Sequence, residues 1–273
     1  MALLLVSVMG TEVFTQQPEV VIRVRGADSM ARRIDLLSQE YMKIHPDVRV
    51  VVSGGSKEAA GLQELMEKHS EVAMAGRQAR NDELDAARSK GVKLVERFVG
   101  YGGVVIVTHP TNAVAELTVE QVKNILTGRT SDWEAVGGSK GPITVVTVGE
   151  PHGGTVAFLE STFLRGRSIT KSAKRVERFP GIMRMVAQTP GSVGYVRVRD
   201  ALESAVAQEV RVKLLPIKQD DATPGVIPSR QSVAGDSYPI KRPFFLYVDE
   251  AASADVKEFV DFIVRNRWGP QSL

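Results

Sequence analysis

The sequence predicts an α/β fold built from a mainly parallel sheet with helices on both faces. Short β-branched runs alternate with segments of helical spacing from Glu19 onward, an order that is typical of such sheets. Residues 102–108 are apolar at nearly every position, which indicates a strand buried on both faces. Of the 273 residues, 43% are hydrophobic and 25% are charged, so the chain can bury a sizeable core and bulk disorder is excluded.

Three strand–helix pairs are predicted in the first third of the chain. The strands are residues 20–24, 48–52 and 72–75, and the first two are rich in β-branched valine and isoleucine. The helices are residues 31–44, 59–68 and 81–90. In the first helix Ile34, Leu37, Tyr41 and Ile44 fall on one face, and this spacing predicts an amphipathic helix packed on the sheet.

The rest of the chain continues the alternation. After the strand at 102–108, a helix is expected to begin behind the N-cap Thr118 and to stop at Gly128. Further strands are predicted at 143–148, 192–196 and 242–248, and further helices at 153–164, before the turn at 190–191, and at 254–267. Residues 219–238 are rich in Pro, Gly, Ser and Asp, which predicts a long surface loop.

Composition excludes several classes of function. Lys plus Arg total 35 and Asp plus Glu total 32, and the charges are interspersed, so no nucleic-acid partner is indicated. The chain has no cysteine, which excludes disulfides, thiolate metal sites, iron–sulfur clusters and cysteine nucleophiles, and fits an oxidising or a reducing compartment equally well. The four histidines stand singly, without metal-ligand spacing, and the common nucleotide motifs are missing, so we expect no metal and no cofactor.

The first 18 residues are read as a tail that precedes the fold. Residues 1–10 are apolar but short, and they lack the positively charged start of a signal peptide. They fit the remnant of a signal peptide or an ordinary N-terminal tail. No stretch in the sequence reaches the roughly 18 apolar residues of a membrane-spanning helix.

Three turns share one design, in which a buried strand runs into small residues that open a helix. They are residues 26–29, 53–56 and 153–155. The first N–H groups of a helix lack intrahelical partners and carry the positive end of its dipole, so they can bind an anion. Capping alone explains any single turn, whereas three in one α/β chain favour an oxyanion site. Arg77 follows a predicted strand, where open α/β sheets bind ligands, although an ordinary surface arginine fits too.

Six segments, in order along the chain, carry a resemblance to a known family. They are Gly-Ala-Asp-Ser-Met at 26–30, Val-Val-Ser-Gly-Gly-Ser at 51–56, Glu-Val-Ala-Met-Ala-Gly-Arg at 71–77, the stretch 117–128 continued by 132–133 and 136–138, Gly-Ser-Val-Gly-Tyr-Val at 191–196 and Tyr-Pro-Ile-Lys-Arg-Pro at 238–243. Through them the chain resembles the phosphate-binding proteins of ABC phosphate importers, which have the type II periplasmic-binding-protein fold. The similarity covers nearly the whole chain from Val20.

The resemblance implies two α/β lobes, each a mainly parallel sheet flanked by helices, joined by two crossovers with the ligand clamped between them. One lobe is expected to comprise residues 19–102 plus 198–273, and the other residues 103–197. The implied ligands are backbone N–H groups at helix starts, hydroxyl groups and an arginine. Carried over by position, they are Asp28, Ser29, Ser56, Gly76, Arg77, Gly153, Gly154 and Thr155.

The sequence departs from the family pattern at Gly149, Gly153 and Gly76, and at residues 57–60 of the second turn, where small hydroxyl residues are usual. Gly149 stands where the family often has arginine, and Gly153 where it often has serine. Gly76, which precedes Arg77, stands where the family usually has serine. Several side-chain donors are therefore missing, while the backbone donors remain.

Two functions are implied by the resemblance. The first is an extracytoplasmic solute-binding protein, periplasmic or extracellular, that delivers phosphate or a similar oxyanion to an ABC permease. The alternative is a sensory or protein-interaction module of the same fold with weak or no anion binding. A third function, an enzyme on the same fold, is disfavoured because no nucleophile–base pair can be named in the sequence. A monomer is expected.

Overall fold

The first part of the chain folds as three consecutive strand–helix pairs, as predicted. The computed structural model describes residues 20–56, 58–149, 154–203 and 209–266, so the predicted tail at 1–18 lies outside the described residues. The pairs are β1 (Val20–Ala27) with α1 (Asp28–Ile44), β2 (Val48–Ser56) with α2 (Glu58–Met66), and β3 (Val72–Ala75) with α3 (Asn81–Ser89).

The middle of the chain begins with the longest described strand, β4 (Leu94–Thr108). It is followed by β5 (Leu117–Thr118), α4 (Val119–Leu126), a 3-10 turn (Trp133–Val136) and β6 (Thr144–Val148). Helix α5 (Gly154–Phe158) runs on into a π-helical turn (Leu159–Phe163), and β7 (Lys174–Val176), α6 (Phe179–Gln188) and β8 (Ser192–Arg197) follow. The predicted cap of α4 is confirmed, because Gln121 N donates to Thr118 Oγ1 at 3.0 Å.

The last part of the chain contributes a mixture of short and long elements. They are α7 (Val198–Glu203), β9 (Lys213–Leu214), β10 (Ile217–Lys218), α8 (Arg230–Ala234), β11 (Lys241–Asp249) and α9 (Ala254–Arg265). Residues 219–238 are less irregular than predicted, because they contain α8 and the fully buried Tyr238. The apolar ring of Tyr238 anchors this segment to the core, which polar composition alone did not reveal.

The main sheet has the strand order β2-β1-β3-β11-β4-β8-β6-β7, with β9 beside β4. Strand β4 links its two halves: residues 94–103 pair with β11, and residues 104–108 pair with β8. We call the strands β2, β1, β3, β11 and the start of β4 the first half-sheet, and the end of β4 with β8, β6, β7 and β9 the second half-sheet.

The prediction of a parallel sheet is confirmed only for the strands that alternate with helices. Strand β1 pairs in parallel with β2 and β3, and β6 pairs in parallel with β7 and β8. Strand β11 is antiparallel to both β3 and β4, and β4 is antiparallel to β8. The reason is topological, because β11 returns from the far end of the chain and inserts between β3 and β4.

Helix α1 packs its predicted apolar face on the first half-sheet. Ile34, Leu37 and Tyr41 are buried, and the Tyr41 ring lies edge-on to Phe259 of α9, with 5.2 Å between centroids. Ile44 is 64% exposed, contrary to the prediction, because it is the last residue of the helix. Each half-sheet is therefore covered by its own helices, and the starts of α1 and α5 meet between them.

Among the described residues, no helix combines the length and the apolar character that crossing a membrane requires.

Candidate anion site between the two half-sheets

A cavity of about 60 Å³ lies where the two half-sheets join. A buried water needs roughly 10–15 Å³ measured in the same way, so the cavity has room for a small polyatomic ion. Helix α1 and strand β11 line it from the first half-sheet, and the start of α5 and the β8–α7 junction line it from the second. The described lining residues are Ser29, Arg33, Gly102, Gly103, Val104, Thr155, Arg197, Val198, Arg199, Arg242 and Phe244.

The lining is strongly cationic. It includes four arginines, Arg33, Arg197, Arg199 and Arg242, and no aspartate or glutamate occurs among the described lining residues. A cleft lined by charges of one sign focuses the electrostatic potential and attracts ions of the opposite sign. The cavity is therefore suited to an anion.

Arg242 is the most deeply buried of these arginines, with 2% of its surface exposed. Its Nε donates a hydrogen bond to the backbone oxygen of Gly76 at 3.0 Å. The guanidinium carbon lies 5.9 Å from the ring centroid of Phe158 and 5.6 Å from that of Phe244. Burial lowers the pKa of Arg242 to about 10, because the charged form is desolvated, and the side chain stays cationic at neutral pH.

Gly76 follows β3 and was predicted to contact the ligand. A Cβ atom at this position would overlap the guanidinium group of Arg242. The space that a side chain at position 76 would fill is therefore occupied by Arg242, and the role of Gly76 in the structure is to leave that space open.

Ser29 is placed where the sequence predicts it, at the second residue of α1. Its Oγ is buried against the cavity and has no hydrogen-bond partner among the described residues. The neighbouring Asp28 is mostly exposed, and its carboxylate lies 3.8 Å from Nη1 of Arg197. Arg197 also donates from Nε to Asp200 at 2.6 Å, so Asp28 reaches the edge of the site rather than its lining.

Thr155 lies across the cavity from Ser29. It is the second residue of α5 and is 4% exposed. The predicted turn that opens this helix is therefore present from Gly154 onward, while Gly153 lies outside the described residues. Ser56 ends β2, but its side chain also lies outside the described part of the chain. The structure thus brings the first and the last of the three predicted turns together.

Arg77 is not among the described lining residues, and its guanidinium points to α3. Nη1 and Nη2 donate to the two carboxylate oxygens of Glu83, both at 2.7 Å. This bidentate hydrogen bonding raises the pKa of Arg77 and lowers the pKa of Glu83. The part of Arg77 in anion binding stays a prediction, and in this structure its side chain anchors the turn after β3.

Four arginines of the site were missed by sequence reasoning. Arg242 stands between Lys241 and Pro243. Arg197 ends β8 and Arg199 lies two residues further on, and Arg33 is one turn of α1 beyond Ser29. Such spacing also occurs for exposed arginines, so it does not distinguish a buried cation. The sequence feature that could have indicated Arg242 is the family signature at 238–243, which contains this arginine next to a proline.

Comparison with known proteins identifies the family and the fold of the chain. The model of the PBP superfamily domain matches residues 13–267. A phosphate-binding protein PstS from Staphylococcus aureus is 26% identical over 255 residues, which cover 89% of this chain and 73% of the relative.

Two solved structures show the shared fold. An ABC-type phosphate transport receptor from Vibrio cholerae has a TM-score of 0.73 at 24% identity, covering 90% of this chain and 96% of the receptor. PstS from Borrelia burgdorferi has a TM-score of 0.70 at 18% identity, covering 90% of this chain and 92% of that one. The expected type II periplasmic-binding-protein fold is therefore confirmed, and the chain belongs to the PBP superfamily.

Proposed function

We propose that this protein is an extracytoplasmic solute-binding protein that clamps phosphate, or a similar oxyanion, for delivery to an ABC transporter. The observation that carries the proposal is the cavity between the half-sheets, where four arginines and the starts of two helices converge. A tetrahedral oxyanion accepts several hydrogen bonds at once, and guanidinium, hydroxyl and helix N–H donors match that need.

The site is proposed to comprise Ser29 on one side, Gly154 and Thr155 on the other, and Arg242 between them. Gly153, Ser56 and Arg77 remain candidates from the sequence. The relatives named as phosphate-binding proteins and phosphate transport receptors supply the substrate class.

The clamp is proposed to work through two lobes, 19–102 with 198–273 and 103–197. The described strand pairings support the first boundary, since β4 passes from one half-sheet to the other at residues 103–104. Strand β9 still pairs with β4 in the second half-sheet, so by strand pairing the chain returns to the first half-sheet with β11. Gly103 of β4 and Arg242 of β11 lie at these two passages and both line the cavity, so a ligand there would lie next to both proposed hinges. Hinge closure around a ligand is a common motion in periplasmic binding proteins.

A binding protein of this kind holds its ligand without changing it. The chemistry proposed for the site is accordingly hydrogen bonding and charge, and the ABC permease is the proposed partner. The proposed location is the periplasm or the cell exterior.

Isothermal titration calorimetry with phosphate, sulfate and molybdate tests the function. We expect phosphate to bind with a dissociation constant of about 1 μM or below, equivalent to about −8 kcal/mol. Sodium chloride at matched ionic strength is the control, because a nonspecific cationic surface would respond to salt alone. Failure of all three oxyanions to bind would contradict the proposal and favour a sensory or protein-interaction module.

A further inference from the structure

Arg242 is a deeply buried cation in a strand whose other described positions are mostly buried and apolar. Phe244, Phe245, Leu246, Tyr247 and Val248 of β11 are all buried, and Arg242 is more buried than most of them. An ionised side chain is costly to bury, because it loses the hydration that stabilises its charge. Because this guanidinium lines the cavity, its charge attracts an anion that enters there.

The surroundings hold the guanidinium at the cavity. Its register partner across the sheet is Gly102 of β4, which itself lines the cavity and places no side chain between the two. On another side Nε is tied to the backbone oxygen of Gly76 at 3.0 Å. Gly76 thus leaves the room that the guanidinium occupies, and Gly102 leaves room for the neighbouring Phe244 ring.

Two aromatic rings flank the same group from different parts of the fold. Phe244 is two residues away on β11, and Phe158 is on α5, which follows β6 of the second half-sheet in the chain. Contacts of a guanidinium with ring faces are favourable when water is excluded. The cation therefore lies across the boundary between the half-sheets, within the same cavity lining as Ser29 and Thr155.

We propose that Arg242 is the principal cationic ligand of the bound oxyanion, and that Gly76 is a specificity-determining position because its missing side chain makes room for the guanidinium. The inference rests on the proposed function and adds to it the residue that supplies the positive charge to the oxyanion. Position 149, at the end of β6, carries glycine and supplies no guanidinium, whereas the cation from β11 enters from the opposite half-sheet. A planar guanidinium binds an oxyanion through two parallel hydrogen bonds, which a lysine cannot reproduce.

Calorimetry of phosphate binding to four variants of the full chain tests the proposal. The variants are Arg242→Gln, Arg242→Lys, Gly76→Ser and, as a control, Arg88→Gln, whose side chain on α3 is 68% exposed. We expect Arg242→Gln to weaken phosphate binding roughly ten- to hundredfold, since a hydrogen bond from a charged donor is lost. Arg242→Lys should bind phosphate more weakly than the wild type but more tightly than Arg242→Gln, because the charge is restored without the two parallel hydrogen bonds of a guanidinium. Its binding should again weaken with added salt, as in the wild type.

Gly76→Ser is the more specific arm, because it leaves Arg242 in the chain. The serine Cβ would overlap the guanidinium in its present position, so Arg242 must move and phosphate affinity should fall. Circular dichroism and a thermal melt identify which variants fold. If Arg242→Gln does not fold, the affinities of Arg242→Lys and Gly76→Ser for phosphate test the proposal.

The outcomes separate this inference from the proposed function. Phosphate binding by the wild type, loss of affinity in the Arg242 and Gly76 variants, and unchanged binding by Arg88→Gln support the inference. Wild-type affinity in folded Arg242→Gln or Arg242→Lys, or in folded Gly76→Ser, overturns it while the proposed function stands. A wild type that binds none of the tested oxyanions overturns both.

Discussion

The ion pair between Arg77 and Glu83 gives Arg77, a predicted ligand, a structural role as well. Glu83 is 8% exposed and accepts two hydrogen bonds from Arg77 and one from the backbone N–H of Arg80. It thereby ties the turn after β3 to the start of α3. Because Gly76 in this turn accepts the hydrogen bond of Arg242, the pair also supports the turn to which Arg242 is bound.

Removing Glu83 should destabilise the fold. We expect Glu83→Ala to lower the free energy of unfolding by about 2 kcal/mol, less than the roughly 3–5 kcal/mol of a fully buried pair, because Arg77 keeps some exposure. Urea denaturation measures the change. The matched control on the same helix is Asp85→Ala, whose partner Arg88 is exposed, and it should shift stability by about 0.5 kcal/mol at most.

The pH dependence of this pair gives a second readout. The hydrogen bonds from Arg77 hold the pKa of Glu83 below its ordinary value. The stabilising contribution is therefore present above the ordinary carboxyl pKa and is lost as the pH falls through the depressed one. The difference between wild type and Glu83→Ala should shrink in acid, and a difference that grew instead would contradict the assignment.

Secondary structure was predictable at the level of elements because local signals agree with the fold. Strand β3 has the predicted bounds, and α4 begins behind Thr118 because two backbone groups are satisfied there: Gln121 N donates to the Thr118 hydroxyl, and Thr118 N donates to Gln121 Oε1 at 2.8 Å. Strand β4 was predicted too short. Its first part includes Glu96 and Arg97, whose charges conceal the strand pattern.

The cap of α4 should have a measurable effect on stability. We expect Thr118→Ala to cost about 1 kcal/mol, since an orphan N–H at the helix start loses its acceptor. Ser253→Ala at the start of α9 is the contrasting variant, because Val256 N lies at 3.4 Å from its hydroxyl and the bond is weaker. Chemical denaturation of both should rank Thr118→Ala as more destabilising, and the reverse order would contradict this account of the cap.

What the sequence did not predict is set by contacts between distant segments. The insertion of β11 between β3 and β4 joins residues about 170 positions apart, as in the pairing of Phe245 with Ala75, and no local pattern encodes it. The residues of the candidate site likewise divide into those that local sequence predicts and those that depend on distant contacts. Ser29 and Thr155 were found through the turns that contain them, whereas Arg242 reaches the cavity only because β11 lies beside β3.

For the whole molecule, buried tyrosines predict a loss of stability in alkali. Burial raises the pKa of Tyr195 to about 12, and the pKa values of Tyr41, Tyr238 and Tyr247 are raised too. A raised folded-state pKa contributes stability that is present below pH 10 and is lost as the pH rises toward 12. The lowered pKa of Arg242 makes the free energy of unfolding rise with pH instead, but this is one group against four tyrosines.

We therefore expect the free energy of unfolding to fall between pH 8 and pH 11, by about 1 kcal/mol for Tyr195 alone. Urea denaturation at the two pH values measures it. Tyr195→Phe should show a smaller fall, although it also loses the 2.6 Å hydrogen bond with Thr147. Stability that rose with pH would contradict this prediction.

Ligand binding should also change the shape of the molecule if two lobes close on it. We expect small-angle scattering to give a smaller radius of gyration with saturating phosphate than without. Arg242→Gln at the same phosphate concentration is a control for the effect of salt. An unchanged radius in a wild type that binds phosphate would place the ligand on one lobe only.

The position of β11 has a consequence for how the protein is made. The strands of the second half-sheet lie between residues 104 and 214, whereas the first half-sheet needs residues 241–249 to fill the gap between β3 and β4. While the ribosome is still adding the intervening chain, the edges of β3 and β4 have no partner, and open strand edges promote aggregation. The first part of the chain to be synthesised is thus among the last to be completed, and a chain that stops before Lys241 would leave those edges open for good.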